Sequence, residues 1–289
     1  MIKQYLLKYD YGDLCHEHNL GDEIQSLAAK QFLSHVDEYV CREKLDEVHE
    51  PGRLIMNGWF IHGGHWPPTE VIDPLFIAFH VTRKAKPKIA SAESVKYLKK
   101  HEPIGCRDQG TADFLEGLGV KSYYSKCLTL TFPRRTQEPK HGNTYIVGVP
   151  SHLEKTIPRQ IRKNAITVSQ KVVLPFAIDH TTKFDLAQSI LDEYRDKASL
   201  VITTKLHCAL PCIAMGIPVV FLRDARKNKK EYRTKIVDDL IGVSLIRTIK
   251  LFGVRMGFRN RSINWSPSSV DIEHEKKKLR DKVSEWLEA

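Results

Sequence analysis

The sequence predicts an α/β fold built in two successive halves. Apolar strand-like runs alternate with helical patterns along both halves, a polar, proline-containing segment breaks the rhythm between them, and a late stretch reads as a complete β-α-β unit. In the first half the alternation starts with "YLLKY" and a helix from Glu23 to about His35, then "RLIMNGW" and "LFIAFHV". A helix near Ser94 to Lys100, the strand "PIGCR" and a helix from Gln109 to Leu118 complete it. Pro133 to Asn143, "PRRTQEPKHGN", reads as a linker. "TYIVGV" opens the second series, followed by "AITVS", a helix from Thr182 to about Asp196, "LVITT", a helix after Lys205 and "PVVFL". The expected organisation is an N-terminal α/β domain over 1–135, a linker over 136–143, a C-terminal α/β domain over 144–265 and a terminal helix over 266–289. Ile272, Leu279, Val283, Trp286 and Leu287 form the helical stripe by which that last element docks on protein.

With 289 residues, 42% hydrophobic and 28% charged, the chain can bury a sizeable core and is not compositionally disordered. Lys and Arg total 45 against 35 for Asp and Glu, and the formal charge of +10 favours anionic partners. Nucleic acid is not expected among them, because the positive charge lacks a recognised module or aromatic interleaving. "MIKQYLLKYDY" meets charges early, and no apolar run approaches the roughly 20 residues of a membrane span, so a cytoplasmic location is expected. The 6 cysteines are scattered and read as free thiols, with "CALPC", Cys208 to Cys212, as core residues rather than metal ligands. Asp224 to Lys235, "DARKNKKEYRTK", is expected to be a solvated loop or helix end. Leu245 to Arg261 mixes apolar residues with Arg247, Lys250, Arg255, Arg259 and Arg261. It is expected as a packed helix with a basic outer face, although an anionic membrane surface would also suit the mixture; Gly253 and Gly257 weaken any continuous amphipathic helix.

Three helix entrances carry the candidate chemistry. In "EHNLGDEIQSLA", Asp22 and Gln25 make a capping-box-like start, while Asn19 and Gly21 permit close approach of a ligand to exposed amides. In "PIGCRDQGTADFLEGLGV", Asp108 can cap the helix, and Arg107 then sits beside its positive pole. A cation there needs solvent, a carboxylate or a bound anion. In "VITTKLHCALPCIAMGIPVV", Thr203 or Thr204 can cap the helix, and Lys205 and His207 fall at the strand's carboxyl end. The local field lowers the pKa of His207 unless an anion binds. Pro211 leaves the His207 carbonyl without its usual helical partner. The bland readings are an ordinary cap, a carboxylate-paired arginine and a solvated lysine. Together the three entrances suggest a cleft lined by helix N-termini and basic side chains, suited to a phosphate or carboxylate.

In order along the chain, "NLGDEIQSLA", "IGCRDQGTADFLEGLGV" with "YYSKCLTLTF", and "VITTKLHCALPCIAMGIPVV" resemble the polysaccharide pyruvyl transferase family, over about Tyr5 to Leu222. The resemblance implies two Rossmann-like domains in a GT-B-like arrangement, with a terminal helix crossing back to the first domain. It also implies transfer of pyruvate from phosphoenolpyruvate to two hydroxyls of a sugar, forming a cyclic ketal and releasing phosphate, with no cofactor. The family's Arg-Leu-His maps onto Lys205-Leu206-His207 and its central arginine onto Arg107, so lysine replaces arginine at one position and loses the bidentate fork. His207 is the candidate general acid and Asp22, or a histidine such as His16 or His18, the candidate base, with Arg107, Lys205 and Leu206 on the donor. Asn19, Gly21, His16, His18, Asn57, His62 and His65 are the candidates for the acceptor side or cleft. A sugar or lipid-linked oligosaccharide is the expected acceptor, which would place the enzyme at the inner face of the membrane, in peripheral contact with anionic lipid. A GT-B-like glycosyltransferase using a nucleotide sugar, or a catalytically altered glycan- or phosphate-binding protein, are the alternatives.

Overall fold

Runs of β-branched and aromatic residues between helical segments assemble two wholly parallel sheets, seen in a computed structural model that describes residues 2–10, 17–61, 65–173 and 178–289. The first sheet contains β1 (Lys3–Lys8), β3 (Glu38–Cys41), β4 (Gly52–Trp59), β5 (Ile72–His80), β6 (Ile104–Cys106) and β7 (Ser122–Tyr124), in the order β3-β1-β4-β5-β6-β7. A short strand, β2 (Glu17–Asn19), stands outside it. The second sheet contains β8 (Asn143–Val147), β9 (Ile166–Val168), β11 (Ala198–Thr203), β12 (Val219–Asp224) and β13 (Ser244–Ile246), in the order β13-β12-β11-β8-β9. Ranked along the chain, the strands of both sheets run 2-1-3-4-5, with a sixth added to the first sheet. Each sheet therefore has a switch point beside its first strand, the place where open α/β sheets bind ligands.

The helices flanking the first sheet are α1 (Leu20–Lys30), α2 (Lys86–Ile89), α3 (Ala92–Lys100) and α4 (Gln109–Glu116). In the second half lie α5 (Ser151–Glu154), α6 (Arg159–Asn164), α7 (His180–Lys197), α8 (Leu206–Ala214), α9 (Lys235–Ile241) and α10 (Glu273–Glu288). Because helices cover both faces, the central strands are near-continuous apolar runs rather than alternating ones. One apolar core lies between the sheets and joins Ile24, Ile55 and Ile77 to Tyr145, Val147, Ile213 and Val283. The outer face of the first sheet carries an aromatic cluster of Phe60, Trp66, Phe76, Phe79 and Tyr97, and that of the second carries Ile146, Ile157, Ile202 and Leu222.

Two further features tie the halves together. β10 (Lys171–Val173) pairs antiparallel with β2, and the Leu20 N–H donates to the Gln170 carbonyl at 2.9 Å. The α10 stripe buries Leu279 and Val283, and its flanks bind residues of the first half. Arg53 Nη1 donates to the Leu287 carbonyl (2.7 Å), its guanidinium lies 5.5 Å from the Trp286 ring centre, and Lys126 pairs with Glu275 at 3.0 Å. No helix among the described residues is long and apolar enough to cross a membrane.

Local patterning placed most elements, and the departures have tertiary causes. The first helix runs from Leu20 to Lys30 rather than from Glu23 to His35; it starts earlier because Gln170 of the second half supplies the acceptor for its first N–H. Asn19 is then the cap residue and Asp22 lies inside the first turn, where Gln25 Nε2 donates to it at 3.1 Å; the capping box is not formed. Neither Thr203 nor Thr204 caps α8: Lys205 occupies that position, Thr203 Oγ1 donates to the Val147 carbonyl and Thr204 Oγ1 to the Gly148 carbonyl. The packed helix expected within Leu245 to Arg261 is absent. Residues 244–246 extend the second sheet, and β14 (Thr248–Leu251) and β15 (Val254–Gly257) form a hairpin. Its turn places Phe252 and Gly253 at φ 45° and 80°, which suits a two-residue hairpin loop and stops a helix.

Candidate active site

The carboxyl ends of both sheets open onto one cavity of about 960 Å³. Its lining includes Asn19, Gly21, Asp22 and Arg107 from the first half, and Thr204, Lys205, Leu206 and His207 from the second. Arg107 follows β6, where its N–H donates to the Phe79 carbonyl at 2.8 Å, and its buried guanidinium turns inward. Nη1 donates to Gln25 Oε1 at 3.0 Å and lies 3.5 Å from His207 Nε2. That contact crosses from one sheet to the other. An arginine N–H facing Nε2 makes that nitrogen the acceptor and assigns the imidazole proton to Nδ1 in the neutral ring.

Two glycines stand beside these side chains. A Cβ on Gly21 would stand 3.3 Å from Asn19 Oδ1 and 3.4 Å from the His207 Cβ, so α1 and α8 come close together here and a side chain at this position would fit only tightly. Gly148, at φ 56°, leaves room for Lys205, whose Cε would be 2.5 Å from any added Cβ. His207 itself departs from helical geometry (φ −82°, ψ 19°), as expected upstream of Pro211. The carbonyl left without a helical partner accepts from Gln170 Nε2 at 3.2 Å. Gln170 thus holds both helix entrances, by its backbone at α1 and by its side chain at α8.

Behind Arg107, Asp108 caps α4 by accepting from Thr111 N at 3.0 Å. Its other oxygen accepts from His80 Nδ1 at 2.6 Å, in a wholly buried pair. Burial and then the Arg107 charge push the His80 pKa down to about 4. Burial, followed by Arg107, Arg233 and His80, also pushes His207 well below the usual imidazole value. Both rings are neutral at pH 7 in the unliganded protein. In the unfolded chain they take up protons near pH 6.5, whereas the native state does not. The stability they contribute is thus complete above about pH 6.5 and is lost as the pH falls below it, toward about 4 for His80. Equilibrium unfolding followed from about pH 7 to about pH 5 should show this decline, and added phosphate should lessen it by binding the native cavity. A flat profile would contradict neutral imidazoles in this site.

Among the described lining residues, Arg107, Lys171, Lys205, Arg223, Arg226 and Arg233 face Glu17 and Asp22. The excess of cations and the α8 N-terminus give the cavity a positive potential, which is electrostatically favourable for negative charge.

A model of the polysaccharide pyruvyl transferase family matches residues 19–224, which include all three helix entrances. The chain belongs to the polysaccharide pyruvyl transferase family. No curated protein matches it. A solved structure of a functionally uncharacterized protein from Klebsiella pneumoniae subsp. pneumoniae is similar with a TM-score of 0.47 and 12% identity, covering 84% of this chain and 92% of that one. As a polysaccharide pyruvyl transferase, the protein is a transferase of polysaccharide biosynthesis whose acceptor is a glycan.

Of the residues singled out in the transferase sequence, Asn19, Gly21, Asp22, Arg107, Lys205, Leu206 and His207 line the same cavity. Others do not belong to that lining. His18 is buried in β2, Asn57 is buried with Nδ2 donating to the Gln25 carbonyl at 2.7 Å, and His65 lies on an exposed loop. His16 and His62 fall outside the described residues. Sequence patterning missed Gln170, Lys171, Trp59, Arg223, Arg226 and Arg233. The charged run from Asp224 was expected to be a bland surface. Instead Arg226 and Arg233 face the cavity, because a 3-10 segment (Ala225–Thr234) follows β12 over its mouth. Cation density was the available signal, but no local periodicity distinguishes a cavity wall from a solvated loop.

Proposed function

We propose that the donor is phosphoenolpyruvate and that this transferase converts a pair of sugar hydroxyls of a cell-surface or exopolysaccharide glycan into a pyruvyl ketal. The observation that carries the reading is the gathering of Arg107, Lys205 and His207, from two different sheets, in a cavity dominated by cations. Arg107 and Lys205, with Leu206 alongside, hold the donor's phosphate and carboxylate. Two Rossmann-like domains in a GT-B-like arrangement suit this assignment: residues 1–135 serve the acceptor side, 144–265 the donor side, and the helix within 266–289 crosses back. The contacts of α10 with Arg53 and Lys126 support that architecture.

The chemistry follows from the donor's enol phosphate. The donor's methylene carbon takes a proton, which makes the substituted carbon electrophilic, and a sugar hydroxyl adds there while losing its own proton. The carbon–oxygen bond to phosphate then breaks, phosphate leaves with that electron pair, and the second hydroxyl closes the ketal, its proton passing to the departing phosphate. His207 supplies the first proton. Neutral in the empty cavity, it is driven toward imidazolium by the donor's negative charge, so the acid forms where and when it is needed. Asp22, which lines the cavity and is braced by Gln25, is the base for the hydroxyl. The reaction in this reading calls on no cofactor and places the protein in the cytoplasm, at the inner face of the membrane when the acceptor is lipid-linked.

Thermal-shift measurements with phosphoenolpyruvate, uridine diphosphate and guanosine diphosphate test the donor. Phosphoenolpyruvate at about a hundred times its Kd should stabilise the protein by about 2.7 kcal/mol. Stabilisation by nucleotides alone would replace this reading with nucleotide-sugar transfer. Phosphate release with a panel of acceptor glycans, for the wild type and for Lys205→Arg, shows whether lysine is an adaptation or a weakened grip. Lower turnover in the variant marks the former.

A further inference from the structure

We propose that the β14–β15 hairpin is a docking element for an anionic lipid bilayer. The argument starts from its register. Ile249 pairs with Met256 and Leu251 with Val254, so these four side chains share one face, while Thr248, Lys250, Arg255 and Gly257 share the other. The second face is the one turned to the protein. Thr248 Oγ1 donates to Asp224 Oδ1 at 2.7 Å, Arg255 Nη1 reaches Asp224 Oδ2 at 3.4 Å, and Gly257 abuts the His152 carbonyl. At its base the hairpin is thus inside out, with Thr248 and Gly257 against the body and apolar side chains toward solvent, while Lys250 and Arg255 nearer the apex remain exposed. Leu251, Val254 and Met256 are 49%, 62% and 43% exposed, and Phe258 just beyond the strand is 51% exposed. At the apex Phe252 is 95% exposed, and its φ of 45° is a conformation that bulky residues rarely adopt.

Charge decides what covers this face. From residue 240 to 270 the chain has no Asp or Glu, yet carries Arg247, Lys250, Arg255, Arg259 and Arg261, all exposed. A second copy would bring two such cationic segments together. An anionic bilayer accepts both features, apolar side chains entering the acyl boundary and cations meeting the lipid phosphates. The hairpin is also tied to the cavity rim. Asp224, which holds its base, accepts from the N–H of Arg226 at 3.0 Å, and Arg226 lines the cavity. Docking would hold the cavity mouth beside the lipid surface, where a lipid-linked glycan would be presented; that consequence alone rests on the acceptor reading above.

Sedimentation of the full chain with vesicles of phosphatidylcholine containing phosphatidylglycerol tests the proposal without any turnover. The wild type should bind these vesicles, bind pure phosphatidylcholine at least about tenfold more weakly, and detach as salt is raised. Phe252→Ser with Leu251→Ser should lower binding about tenfold or more, with circular dichroism and phosphoenolpyruvate-induced thermal shift unchanged. Lys250→Glu with Arg259→Glu should also release the protein. Absence of wild-type binding, or equal binding by the serine variant, overturns the proposal. So does a concentration-dependent dimer that Phe252→Ser converts to monomer, which would make the occupant a second copy.

Discussion

Replacing His207 with glutamine should lower kcat by about 10²- to 10⁴-fold while leaving phosphoenolpyruvate affinity within about threefold. Glutamine keeps an acceptor for the Arg107 N–H that stands 3.5 Å from Nε2, and it fills a similar place against Gly21. It cannot deliver a proton to carbon. Loss of kcat with an unchanged Kd separates proton delivery from donor binding. Calorimetry of phosphoenolpyruvate binding in buffers of different ionisation enthalpy supplies the second readout. The wild type should take up a proton near neutral pH, because the empty cavity holds the imidazole neutral, and the variant should not. Unchanged turnover in His207→Gln would remove this residue from the mechanism.

Asp108→Ala should destabilise the protein by about 3–5 kcal/mol, since truncating one member of a buried polar network leaves its partners unsatisfied. Two losses coincide. The α4 cap made to Thr111 N disappears, itself worth about 1 kcal/mol, and His80 Nδ1 loses the acceptor 2.6 Å away. At roughly 2–4 °C per kcal/mol for a chain of this size, the melting temperature should fall by about 10 °C. Asp108→Asn, which retains an acceptor oxygen for the cap, should lose clearly less. Similar losses in the two variants would show that the carboxylate charge, not the cap, is the main contribution. Arg107 adds a functional consequence: with its neighbouring carboxylate gone, a buried guanidinium is less well compensated, and donor affinity should fall alongside stability.

Much of this organisation can be read along the chain. The apolar run of β11, the small residues of α8 and Gly216 at φ 74° declare a β-α-β unit, and Asp108 before "QGTADFLEGLGV" declares its cap. Such features are legible because each depends on residues within a few positions of one another. The likeness of the two sheets is not legible, since hydrophobic patterning is degenerate and many sequences satisfy one strand order. The site residues that escaped notice share a property. Gln170 acts through helices in both halves, Trp59 lies at the end of β4, and Arg226 and Arg233 enter the cavity from a segment that resembles any solvated loop.

The Leu245–Arg261 segment shows the same division from the other side. Its composition displayed the cations and the apolar residues and suggested a packed helix, but the hairpin, and the face that each side chain occupies in it, depended on the strand register and on Asp224. The sequence alone determined the α/β class, the family motifs and the identities of Arg107, Lys205 and His207 as chemically suited groups. Tertiary structure alone decided that they meet, that α1 begins at Leu20, and that the hairpin turns its apolar face outward. Propensities and caps are local energies that short segments express by themselves. A cavity between sheets arises from contacts between residues some hundred positions apart, such as Arg107 and His207, and only the closed chain brings those within reach.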